Sequence, residues 1–181
     1  MGAFAVLAES FRYPAPGRLE SLRSAVSRLP PGTVRDRLED FLSDVGSRSL
    51  EEWEELSTRT LDLELASAPY LGFQVWGDKY QRSPFLAELG VAMDRAGIDR
   101  DGELPDHVVP VLRFLDACDA PPERLLEVLG PALESLEKAL RSSDPDNPYL
   151  HLIAGARRQA EERPAAAVAG SGAVDGERRS P

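Results

Sequence analysis

Almost everywhere between Ala3 and Ala160 the apolar residues return at every third or fourth position, and in no stretch do they alternate strictly with polar ones. That spacing gathers side chains onto one face of an α-helix, whereas a half-buried strand needs a period of two. A chain patterned this way can bury its apolar residues only by packing helix on helix. An all-α, single-domain helical bundle is therefore predicted.

Proline and glycine clusters divide the pattern into segments. A first short helix is predicted over Ala3 to Phe11, stopped by Pro14-Ala15-Pro16-Gly17. A second carries Leu19, Leu22, Val26 and Leu29 and closes at Pro30-Pro31-Gly32. Thr33 is the expected N-cap of a third, with Val34, Leu38, Phe41, Leu42 and Val45. Ser49 followed by Glu52 reads as a capping box, opening a long fourth helix that runs towards Pro69. Ser83-Pro84 is the expected cap and first-turn proline of a helix over Phe85 to Ala96 that ends at Gly97. A further helix restarts at Pro105. Beyond Pro121-Pro122, Gly130-Pro131 is expected to kink or divide a leucine-rich helix, because proline removes an internal hydrogen bond and clashes with the preceding turn. Asn147 should cap the last helix, which carries Tyr149, Leu152, Ile153 and Ala156. Eight to ten helices over residues 3–163 and short connections describe antiparallel neighbours in one domain, 1–163. From Pro164 onward no large apolar residue remains, and a disordered tail is predicted over 164–181.

Charge narrows the function classes. With 31 acidic against 21 basic residues the chain carries a net charge of −10. Such a surface repels phosphate backbones, so a nucleic-acid partner is not expected. It favours a basic peptide or protein, although acidity also serves solubility alone. Met1 to Arg12 lacks the basic leader of a secretory signal, Val6 stands where a myristoylation motif needs Ser or Thr, and no apolar run reaches the roughly 20 residues that span a bilayer. A cytoplasmic protein without direct membrane insertion is expected.

The single cysteine, Cys118, allows no internal disulfide, and His107 and His151 are the only histidines. A zinc site of nitrogen and sulfur ligands is poorly supplied, and no Gly-x-x-x-x-Gly-Lys-Ser/Thr loop is present. No stably bound cofactor is expected. The glycines at 170–176 are spaced one residue too long for a dinucleotide fingerprint, and Asp99-Arg100-Asp101-Gly102-Glu103 lacks most calcium-loop ligands.

Two stretches invite a functional reading. Tyr70, Phe73, Trp76 and Tyr80 are spaced to line one helical face, either as core or as a groove that receives an apolar segment of a partner. Leu104, Val108, Val111, Leu112 and Leu115 form an apolar stripe beside which Asp106 and His107 fall, at a helix entrance near solvent. Asp106 there could simply complement the helix dipole. A catalytic reading would let Glu103 or Asp106 polarise His107, but adjacent helical residues point about 100° apart, which makes a direct relay poor, and no nucleophile accompanies them. An enzyme is not expected.

The order Tyr70-Leu71-Gly72-Phe73, Gly77-Asp78-Lys79-Tyr80-Gln81-Arg82, Phe85-Leu86-x-x-Leu89, Ala96-Gly97 and Glu103-Leu104-Pro105-Asp106-His107-Val108 resembles the TorD-like family of molybdoenzyme-assembly chaperones, nearest to the nitrate reductase delta-subunit (NarJ) type. The resemblance covers most of residues 10–160, and its specific part is the Glu-Leu-Pro-Asp-His block. It implies a non-catalytic, all-helical chaperone. Such a protein binds the N-terminal segment of a molybdopterin oxidoreductase catalytic subunit and holds it for molybdenum cofactor insertion before membrane assembly or export. Carried over, the client-binding residues are Tyr70, Phe73, Trp76, Arg82, Glu103, Asp106 and His107, with Asp106 meeting cationic groups of the client. Arg82-Ser83-Pro84, Met93 and Leu61 depart from the family pattern, which leaves the client enzyme open. The competing reading is a generic helical protein-interaction adaptor, and homodimer formation is left open by the sequence.

Overall fold

The computed structural model describes residues 1–63 and 67–163. The elements are α1 (Ala3–Ser10), α2 (Arg18–Ser27), α3 (Thr33–Gly46), α4 (Leu50–Thr58) with a π-helical turn (Arg59–Leu63), α5 (Leu71–Trp76), α6 (Arg82–Arg95), α7 (Val108–Ala117), α8 (Glu123–Ser143) and α9 (Tyr149–Glu161). No strand occurs among the described residues, and the all-α expectation is met. The predicted 164–181 tail lies outside the described residues. No described helix is long and apolar enough to cross a membrane.

α1 forms the hub of the bundle. Phe4, Val6, Leu7 and Ala8 are buried in one short helix, which packs along α7 and touches α2, α3 and α9. α3 lies along α9, and α8 receives α5 on one side and α9 on the other. Aromatic rings lock the centre: Phe41 meets Tyr149 at 5.3 Å and Trp53 at 6.2 Å between centroids, both edge-on, and Phe11 lies 6.3 Å from Tyr149. Edge-to-face geometry sets the positive ring edge against the negative ring face. A surface network adds to this, as Arg113 Nη2 donates to Glu9 at 3.0 Å and Nη1 to Asp101 at 2.9 Å, tying α1 and α7 to the 99–102 link.

Several helix ends follow the local sequence. Ser49 accepts from the Glu52 amide while Glu52 accepts from the Ser49 amide, the reciprocal capping box. α6 closes at Gly97, whose φ of +67° permits Ile98 N–H to reach Met93 O and Gly97 N–H to reach Asp94 O. Pro148, and not the expected Asn147, holds the cap position of α9; Asn147, one residue earlier, accepts from the Tyr149 amide at 3.0 Å and donates to Thr60 Oγ1 at 2.8 Å, so it ties the start of α9 to the π-turn.

Four further expectations are corrected. Thr33 is the first residue of α3 rather than its cap, with Gly32 in the cap position and no side-chain bond. α6 begins at Arg82, ahead of Ser83-Pro84. Gly130-Pro131 does not divide α8, which is continuous through Pro131: Gly130, Pro131 and Glu127 are all exposed, so the carbonyl that loses its partner lies on the outer face, within reach of water. Finally, α7 starts at Val108 and not at Pro105. Leu71 N–H donates to Asp106 O and Val108 N–H to Pro69 O, both at 2.8 Å, and this antiparallel bridge between Tyr70 and His107 keeps the chain extended where a helix was expected.

Candidate functional site

The Tyr70–His107 bridge brings together two stretches that are far apart in the chain, and every side chain of the candidate site leans on it. Asp106 is 0% exposed, contrary to the expectation that it lies near solvent. Its Oδ2 accepts from Arg82 Nε at 2.9 Å and from the Gly72 amide at 3.1 Å, and its Oδ1 accepts from Arg82 Nη2 at 3.2 Å. The reason is steric as well as electrostatic. Gly72 has no side chain, and a Cβ built there would stand 2.7 Å from Asp106 Oδ2. The carboxylate therefore lies against the backbone of α5, where only a paired charge is tolerated.

Arg82 in turn lies over both Tyr70 and Phe73, with its guanidinium carbon 5.7 Å from each ring centroid. Tyr70 donates its hydroxyl to Glu103 Oε2 at 2.8 Å. Burial, reinforced by that hydrogen bond and the nearby carboxylate charge, pushes the Tyr70 phenol up to about 12, so it remains a donor. His107 stands edge-on to Tyr70 at 5.1 Å, and its Nδ1 accepts from the Val109 amide at 3.2 Å, capping α7. Accepting at Nδ1 places the neutral ring's proton on Nε2. Burial holds the His107 pKa below its ordinary value, outweighing the opposing pull of Glu103, Asp106 and Asp62. Asp106 and His107 are thus committed to different partners, and no relay joins them.

Two clefts flank this ridge and share Leu61 and Asp62 on one wall. The smaller, about 300 Å³, includes Tyr13, Ser57, Glu103 and His107. The larger, about 470 Å³, is lined by Leu61, Leu63, Tyr70, Phe73 and Leu104, with Asp62, Asp78 and Arg82 as its charged members. Leu63 is 75% exposed and Leu104 47% exposed, which leaves an apolar wall open to solvent. Asp62 and Asp78 make no ion pair or side-chain hydrogen bond among the described residues. No group of three His, Cys, Asp or Glu positioned to hold a metal ion is present among them either.

Six of the seven residues singled out in the sequence converge here: Tyr70, Phe73, Arg82, Glu103, Asp106 and His107. Trp76 does not. It packs edge-on against Phe85 at 5.3 Å and under Arg124 at 5.2 Å, and Tyr80 is 84% exposed, so the four aromatics do not share one face. α5 spans only Leu71–Trp76, and it buries Leu71 and Gly72 rather than the aromatic stripe. Asp62, Asp78, Leu61, Leu63 and Leu104 were not singled out as site residues. Leu104 belongs by its spacing to an apolar stripe, and only their exposure reveals Leu63 and Leu104 as part of the cleft. No protein-family model and no curated protein matches the chain.

Proposed function

We propose that the protein is a cytoplasmic chaperone for a molybdopterin oxidoreductase, binding the N-terminal segment of its catalytic subunit while that subunit receives molybdenum cofactor. The observation that carries this reading is the 470 Å³ cleft. Its exposed Leu63 and Leu104 offer an apolar seat, and Asp62 and Asp78 offer negative charge that no ion pair or side-chain hydrogen bond among the described residues engages. An amphipathic basic segment matches both features, since its apolar residues leave water as its cations meet carboxylates. The client class comes from the resemblance of the Gly77 to Arg82 and Glu103 to His107 blocks. Asp106, saturated by Arg82 and Gly72, shapes the cleft from below and does not meet the client. The chaperone itself holds no cofactor in this scheme.

The test is titration of labelled N-terminal peptides from the host's molybdoenzyme catalytic subunits, read by fluorescence anisotropy. One such peptide should bind, its affinity should fall with added salt, and Asp62→Asn with Asp78→Asn together should weaken it roughly tenfold. If none of these peptides binds, while affinity capture from anaerobically grown cells recovers other proteins only, the molybdoenzyme reading is wrong.

A further inference from the structure

Helix α6 carries an outward face that none of the described residues covers. Val91 is 50% exposed there, and Ala92 and Ala96 lie beside it, lining an open trough of about 810 Å³ that runs to Cys118 and Pro122 at the end of α7. Two charged residues, Glu88 and Arg95, also line this trough. Neither makes an ion pair or side-chain hydrogen bond among the described residues, whereas their neighbour Asp94 is already engaged by Arg100 at 3.1 Å. The placement of these two is what identifies the occupant. Glu88 lies three residues before Val91, and Arg95 three residues after Ala92, so the two charges are equidistant from the Val91–Ala92 bond.

We infer that a second copy of this chain docks on this face, with α6 packed antiparallel to its mate about a two-fold axis that runs between the two helices, level with the Val91–Ala92 bond. In that arrangement Glu88 of each copy faces Arg95 of the other, and the pair forms twice, as an isologous interface requires. Val91 packs against Ala92 across the axis. The small side chains at Ala92 and Ala96 allow close approach of the two helices, and the trough floor at Cys118 is covered. The face is locally neutral, so it can self-associate although the whole chain is acidic.

Sedimentation equilibrium of the full chain tests this. The wild-type chain should dimerise, and Glu88→Arg or Arg95→Glu alone should raise the dimer dissociation constant roughly tenfold or more, because each replaces two attractions with two repulsions. The double variant Glu88→Arg with Arg95→Glu restores complementarity and should return most of the lost affinity. Both positions are exposed, so the variants should keep the wild-type helical circular dichroism and melting temperature. Cys118 supplies an independent reading: maleimide should label it faster in Val91→Lys than in the wild-type chain at equal concentration. A monomeric wild-type chain, or a double variant no more dimeric than the singles, overturns the proposal. Recovery in the double variant cannot arise from a heterologous partner or from an exchange of helices elsewhere in the bundle.

Discussion

Arg82 and Asp106 form a two-point ion pair in which the carboxylate is sealed from water and the guanidinium lies across the faces of Tyr70 and Phe73. The pair makes one rigid unit of α5, the start of α6 and the turn before α7. A residue that looks like a ligand for a partner's cation is, in the fold, the counter-charge of an internal one.

Breaking that pair from one side should be severe. Asp106→Ala leaves Arg82, itself mostly buried, without a counter-charge, and should lower unfolding stability by about 3–5 kcal/mol. Urea denaturation followed by circular dichroism gives the value. A loss below about 1 kcal/mol, the range of exposed pairs, would mean that the carboxylate is solvated.

Gly72→Ala should be costly for a helix position where alanine is normally the better residue. The added Cβ meets Asp106 Oδ2 at 2.7 Å and both Arg82 Cγ and Phe85 Cδ1 at 3.2 Å. Overpacking of this kind typically costs about 1–3 kcal/mol, measurable in the same denaturation experiment.

His107 should make stability fall with acid. Its pKa in the fold lies below the ordinary value of 6.5, so the unfolded chain takes up the proton first as pH drops. The contribution is complete above that ordinary value and is lost as pH falls from it towards the folded pKa. Protonation at Nδ1 also removes the acceptor for Val109 N–H. His107→Asn, which can still cap, should flatten the pH dependence between about 7 and 5, and His107→Ala should cost about 1 kcal/mol at pH 7. A His107→Asn profile that retains the wild-type slope would assign the effect to another group.

Asn147 is the remaining buried connector. Asn147→Ala removes the donor to Thr60 Oγ1 and the acceptor for the Tyr149 amide, and should cost about 2–3 kcal/mol. Hydrogen exchange should then show earlier opening at the first turn of α9 than elsewhere in that helix.

What could be read from the chain alone divides along a physical line. The Ser49 capping box and the Gly97 stop depend on neighbours within a few residues, and both stand in the fold. The burial of Asp106 depends on Arg82, which is 24 residues away, and on a backbone bridge to Tyr70. Counting Leu104 in the Val108–Leu115 stripe carried a helical period through a turn that is not helical, and so assigned to the core a side chain that lines the open cleft. The Tyr70, Phe73 and Trp76 spacing is genuine, but α5 ends at Trp76, and Phe85 and Arg124 draw that indole to another corner. The apolar stripes could be read because burial sets their period; the site could be read only in part, because it is assembled from the ends of elements.

The π-turn at Arg59–Leu63 amounts to one residue too many in a helical turn. Thr60 is fastened to Asn147, so the surplus cannot slide along the helix and stays where it is. Removing one residue within the turn would leave a regular helix, locally better bonded than the natural one. It would also rotate Leu61 and Asp62 by about 100° relative to α4, turning the wall shared by both clefts away from them. At this point in the chain a shorter gene would encode a sounder helix and a cleft without its shared wall.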